Sequence, residues 1–185
     1  MDSRKTQSGF SLIELMMSIA MAGIIMALGV SSYKYVTNAN RVSGEINALL
    51  GDMQFARYEA VKEGLAVQIC PTAAGGTTCT ATATWSGGWI VLSNAAATGG
   101  TALVLRRQLP FSSFSSSDTL TNNAGTAPIS FNREGYAVAI ASPSDMFSLH
   151  DPSSITSYTR CLMVGTSGVL STAQYNVTVL GQTCT

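Results

Sequence analysis

Gly9-Phe10-Ser11-Leu12-Ile13-Glu14 runs without a break into Leu15-Met16-Met17-Ser18-Ile19-Ala20-Met21-Ala22-Gly23-Ile24-Ile25-Met26-Ala27-Leu28-Gly29-Val30. Glu14 is the single ionisable side chain between Phe10 and Val30. At about 1.5 Å rise per residue, the stretch is roughly 30 Å long as a helix, the thickness of a bilayer core. A polar leader carrying Arg4 and Lys5 precedes it. A secretory signal peptide also has a basic start and an apolar centre, but its apolar run is shorter and holds no charge. A plain signal anchor leaves Glu14 unexplained, because a charged carboxylate at mid-bilayer costs about 2.5–3.5 kcal/mol. A carboxylate paired with a cation and hydrogen-bonded is tolerated.

Outward from this stretch, the chain contains no proline before Pro71. Val42, Ile46, Leu49, Leu50, Met53, Ala56, Ala60 and Val61 recur at three- and four-residue steps. Glu45, Asp52, Arg57-Tyr58-Glu59 and Lys62-Glu63 are placed on the opposite face. The pattern predicts one long helix from about Phe10 to Glu63, apolar in its first half and amphipathic in its second, stopping at Gly64. Ser31-Ser32 and Asn38-Ala39-Asn40 are the places where it is easiest to bend.

Beyond Gly64 the pattern changes to short β-prone runs separated by turns. Strands are expected at Leu65–Ile69, Ile90–Leu92 and Ala102–Gln108, with a turn at Ala95–Gly100. Ser112–Thr126 and Ser142–Tyr158 read as loops. Hairpins are expected across Asn132–Gly135 and across Gly165–Gly168, with Tyr175–Leu180 leading into the tail. The fold class is α+β: a long N-terminal helix packed on an antiparallel β-domain.

All four cysteines, Cys70, Cys79, Cys161 and Cys184, lie beyond the apolar stretch. An even number in an exported domain suggests two disulfides, and three connectivities are possible. Cys70–Cys79 with Cys161–Cys184 closes the shortest loops and is the expected pairing. No C-x-x-C pair occurs and the only histidine, His150, has no cysteine near it, so no metal site or cofactor is expected. His150-Asp151 is the one pair suggestive of catalysis. No G-x-S-x-G elbow accompanies it, and a lone histidine in a serine-rich segment reads as solvated, so no catalytic residue is assigned.

Glycine, aromatic residue, glutamate and apolar run, spaced as they are here, resemble the processing site of type IV pilins and pseudopilins. Three further segments resemble the GspH/FimT-type pilins: Phe55-Ala56-Arg57-Tyr58-Glu59-Ala60-Val61, Trp85-Ser86-Gly87-Gly88-Trp89-Ile90-Val91 and Ile129-Ser130-Phe131-Asn132-Arg133-Glu134-Gly135. The resemblance implies that a prepilin peptidase cuts between Gly9 and Phe10 and that Phe10 is then N-methylated. It implies residues 1–9 as leader, 10–30 as the transmembrane and assembly half of the helix, and 31–185 as a periplasmic domain anchored in the bacterial inner membrane. Glu14 would pair with the Phe10 amine of a neighbouring subunit. The family includes minor pilins of the FimU and FimT kind and the H pseudopilin of type II secretion. The function expected is therefore a minor pilin that primes or caps a pilus at its tip, with other minor pilins and the major pilin as partners. A type II secretion pseudopilin is the alternative. The family's helix-bending proline past the membrane half is missing here, although Gly29 can serve instead.

Nucleic-acid binding is the remaining reading. Some FimT-type members bind DNA through a G-R-x-R motif near the carboxyl terminus. Here the matching segment is Gly181-Gln182-Thr183-Cys184, with both arginines absent. Phosphate contacts draw most of their affinity from Lys and Arg. Taking Asp2, Arg4 and Lys5 from ten basic and ten acidic side chains leaves eight and nine, which argues against a general polyanion-binding surface. Convergence of Arg106, Arg107, Arg133 and Arg160 in space would be needed to restore the role.

Overall fold

The computed structural model describes residues 9–93, 102–111, 118–138, 140, 143–153 and 155–185, and within these not the side chains of 28–32. Most of the leader, the turn read at Ala95–Gly100 and the start of the loop read at Ser112–Thr126 lie outside the described residues. The chain divides into two compact units, 1–38 and 39–185.

One helix, α1 (Leu12–Glu63), begins in the first unit and ends in the second. No proline interrupts it, and it stops one residue before Gly64. Within the second unit its inner face is Val42, Ile46, Leu49, Met53, Ala56 and Ala60, all buried, at alternating steps of four and three. Each such aliphatic side chain removed from water contributes about 1.5–3 kcal/mol for the larger residues.

The inner face of α1 shares one core with two antiparallel sheets. The first has five strands: β1 (Val67–Pro71), β2 (Trp89–Ser93), β3 (Val104–Gln108), β5 (Ile129–Phe131) and β6 (Ala137–Val138), in the order β3-β2-β1-β5-β6. The second has four: β4 (Thr119–Asn122), β7 (Ser144–His150), β8 (Arg160–Gly165) and β9 (Leu170–Gln174), in the order β4-β7-β8-β9. A small ribbon of β10 (Thr178–Val179) and β11 (Gln182–Thr183) closes the tail. The α+β class expected from the sequence is the class observed.

Strand alternation explains the layers. Val67, Ile69, Trp89, Val91, Ile129 and Phe131 face the common core from the first sheet, and Phe147, Leu149, Leu162 and Val164 face it from the second. The outer faces carry their own small clusters. Cys70, Ile90 and Leu92 meet on one sheet, and Cys161, Met163, Ala173 and Cys184 on the other.

Four expectations are corrected. The segment read as a loop from Ser142 to Tyr158 contains the seven-residue strand β7, hydrogen-bonded on both sides. The segment Ser112–Thr126 contains the strand β4. Asp52, placed on the solvent face of α1, is 8% exposed and lies against the first sheet. The first strand is displaced by two residues to Val67–Pro71, and Pro71 lies past the β1–β5 register, which stops at Ile69, so its missing N–H breaks no bond to β5.

Candidate assembly surface

In the first unit, Phe10 is 83% exposed, and Leu12, Ile13, Leu15, Met16, Met17, Ile19, Met21, Ile24, Ile25 and Met26 are all exposed. Successive helix positions are about 100° apart, so these side chains surround the axis and leave no polar face. Among the described residues no helix is long and apolar enough to cross a membrane. The described side chains of the run end at Ala27, and the sequence continues it with Leu28-Gly29-Val30. Glu14 sits in the first turn of α1, exposed, with its own carbonyl accepting from Ser18 Oγ at 2.8 Å. Helix N-termini favour a negative charge, which makes the position locally suitable for a carboxylate. At Gly9 an added Cβ would meet nothing within 4 Å, so packing gives no reason for glycine there.

In the second unit, the three sequence segments singled out above come together as a lock between helix and sheets. The Trp89 indole N–H donates to Asp52 Oδ2 at 2.9 Å, inside the core. Arg106 Nη1 donates to Asp52 Oδ1 at 3.0 Å, and its guanidinium lies 4.2 Å above the Phe55 ring. One carboxylate thus satisfies a buried indole and an edge-strand arginine together, which is what makes its burial tolerable. Trp85 reaches the second sheet instead: its ring stands edge-on to Phe147 with centroids 4.8 Å apart, and its N–H donates to the Gly125 carbonyl at 3.0 Å. The spacing Trp85-x-x-Gly88-Trp89 therefore sets Trp89 in the first sheet and Trp85 against the second. Gly88 joins them at φ 99°, where an added Cβ would lie 2.5 Å from the Gln108 carbonyl oxygen.

Arg57 closes the opposite corner. Its Nε–H donates to the Gly135 carbonyl at 3.0 Å. The Ala137 N–H donates to the Thr166 carbonyl at 3.1 Å, tying the β5–β6 turn to the β8–β9 turn. Gly168 sits at φ 74°, and an added Cβ would overlap the Gly135 carbonyl oxygen that Arg57 binds. Gly168→Ala is expected to destabilise the protein by about 1–3 kcal/mol from backbone strain alone, with the displaced turn adding to it. Thermal unfolding read by tryptophan fluorescence should show a Tm several degrees lower. An unchanged Tm would mean that the two turns are not held as tightly as their geometry implies.

Cys70 is bonded to Cys79 and Cys161 to Cys184. The first bridge holds the 71–78 segment to the outer face of the five-stranded sheet. The second ties the tail to β8, where both sulfurs are buried. The four arginines that a nucleic-acid site would need do not converge. Arg106 and Arg107 lie on β3 and Arg133 lies beyond β5, at opposite edges of the first sheet, while Arg160 is on the second sheet. Each of three is also engaged: Arg106 with Asp52, Arg133 with Glu134 at 2.6 Å, and Arg160 with the Ser157 and Thr159 carbonyls. The exposed Arg133 contact holds the Glu134 carboxyl below the ordinary glutamate range, through the hydrogen bond first.

His150 Nδ1 faces Thr159 Oγ1 at 3.2 Å, and Asp151 accepts from the Ser153 and Ile155 backbone N–H groups. Asp151 thus caps a turn, its two oxygens taken up by backbone N–H groups. Sequence reasoning missed the Asp52 node. The available signal was its spacing, three residues after Leu49 and beside Met53, which puts it at the border of the buried face.

A family model described as Type II transport protein GspH matches residues 45–168, and one described as a prokaryotic N-terminal methylation motif matches residues 4–30. Among solved structures, the fold is similar to the type IV minor pilin FimU of Pseudomonas aeruginosa PAO1 in two crystal forms. One is 20% identical with a TM-score of 0.56, the match covering 71% of this chain and 87% of that one. The other is 21% identical with a TM-score of 0.52, covering 72% and 91%. None of the curated proteins compared with the chain matches it. With an N-terminal methylation motif followed by a GspH match over two thirds of its length, on a helix-and-sheet fold shared with a minor pilin, the chain belongs to the GspH family, a family of structural pilin-type proteins rather than enzymes.

Proposed function

We propose that this protein is a minor type IV pilin, a structural subunit that helps prime or cap a pilus together with other minor pilins and the major pilin. The observation that carries the reading is the first unit. It presents large apolar side chains around its whole circumference, none of them used by its own fold, directly after a methylation-type leader. Such a surface stabilises a helix in lipid and then in contact with other helices of the same kind. The second unit supplies a rigid head in which three motif segments are spent on holding helix to sheets. Before assembly the protein resides in the bacterial inner membrane with its head in the periplasm, and afterwards at the pilus tip. The family description keeps a second reading in view, the H pseudopilin of type II secretion.

Processing precedes assembly in either case. Cleavage is expected between Gly9 and Phe10, with methylation of the new amine on Phe10. Glycine at position 9 has no packing role, which fits a residue selected by the peptidase. Intact-mass analysis of membrane-extracted protein should give a chain beginning with methylated Phe10. A mature chain beginning after Gly29 would identify an ordinary signal peptide and remove the pilin reading. Co-purification from membranes then separates the two assemblies: minor pilins in the eluate support the pilus, and secretion pseudopilins support the alternative.

A further inference from the structure

The apolar stretch of α1 is followed by Tyr33-Lys34-Tyr35-Val36. All four are exposed, Tyr33 at 73% and Tyr35 at 52%. The backbone there is helical, and the Tyr33 carbonyl accepts from Thr37 Oγ1 at 2.8 Å. At about 100° per residue, four successive positions encircle the helix once. A partner protein docking on one side would be met by aromatic residues three or four apart, on one stripe. Tyr33 and Tyr35 lie about 200° apart, with Lys34 between them. Such an arrangement suits an environment that surrounds the helix evenly.

We propose that Tyr33, Lys34 and Tyr35 form an aromatic and cationic collar that seats in the headgroup layer of the bilayer and fixes the depth of the anchor. The inference rests on the membrane-anchored reading given above and adds where the span ends. From Leu12 to Tyr33 the helix rises about 32 Å, enough to cross a hydrocarbon core of about 30 Å and bring the collar to the far interface. Tyrosine has an apolar ring and a polar hydroxyl and favours that layer, while lysine extends its ammonium toward lipid phosphates. Ser31-Ser32, just before the collar, are the first consecutive polar residues of the run. Beyond the collar, Thr37 and Asn38 continue in polar character.

The full chain carrying Tyr33→Trp, Tyr35→Trp or Ile24→Trp, reconstituted in phosphatidylcholine–phosphatidylglycerol vesicles, tests this. Flotation is measured first, then quenching by lipids brominated near the headgroup or near the chain ends. The unsubstituted chain, with Trp85 and Trp89 buried in the head, sets the background. The collar reporters should be quenched at least twofold more by the shallow bromines, and the Ile24 reporter more by the deep ones. Deep bromines quenching the collar more, or neither quenching it in floated protein, would overturn the collar and leave the anchor standing. Failure to float would overturn the anchored reading, and the collar with it.

Discussion

Glu14→Val is expected to leave the protein inserted and folded and to remove it from the filament. Glu14 lies in the first turn of a helix whose other side chains there are apolar and exposed. Among the described residues it takes part in no ion pair. On the membrane-anchored reading proposed above, valine removes a carboxylate from the span and makes it more lipid-compatible, by up to about 2.5–3.5 kcal/mol at mid-bilayer and less near an interface. Membrane levels should therefore hold or rise. On the same reading, assembly draws on the opposite property, a charge able to meet the Phe10 amine of a neighbouring subunit in a low dielectric. Incorporation into sheared filaments and co-purification of minor pilins should fall at least tenfold in a strain lacking the native copy. Glu14→Gln keeps hydrogen-bonding capacity without the charge and should lie between. Normal incorporation of Glu14→Val would reduce the residue to a tolerated cost in a simple anchor.

Asp52→Ala is expected to produce a large loss of stability by point substitution in the head, about 3 kcal/mol. The change leaves the buried Trp89 N–H without its acceptor, costing about 1–3 kcal/mol, and strips Arg106 of its counter-charge. Arg106→Met should cost much less, because the arginine side chain is half exposed and its ion pair is partly screened. Asp52→Asn, which can still accept from the indole, should fall between. Urea unfolding of the full chain in detergent, followed by tryptophan fluorescence, measures all three. If Asp52→Ala and Arg106→Met lose stability equally, the indole bond contributes nothing and the node is only a surface ion pair.

Much of this architecture was legible because its signals are periodic. The core positions of α1, from Val42 to Ala60, alternate steps of four and three, and no proline breaks them. The β5–β6 and β8–β9 hairpins have short turns with glycine at their ends. What could not be read is where polar residues are buried. Ser144, Asp145 and Ser148 make β7 look like a loop, yet all three are buried. The reason lies far away in sequence. Ser144 Oγ donates to the Leu180 carbonyl, while Gln182 and Asn123 side chains donate to the Ser144 carbonyl. The tail thus supplies partners to the second sheet, and no local pattern announces it. Asp52 was misplaced for the same reason: its partners, Trp89 and Arg106, are 37 and 54 residues away. At the assembly end the motif named Gly9, Phe10 and Glu14, but a motif gives no partner geometry.

The pairing of β1 with both β2 and β5 has a kinetic consequence. Val67 meets Ser93 on one side and Phe131 on the other. The nearer partner closes a loop of 26 residues and the farther one a loop of 64, so the β1–β2 hairpin is favoured to form first. Until β5 has been synthesised, β1 is an open edge carrying Val67 and Ile69, able to template pairing with another unfinished chain. The order of synthesis, more than final stability, then sets how much of an overproduced pool reaches the native head, and slower synthesis should raise that yield more than a change that tightens the finished core.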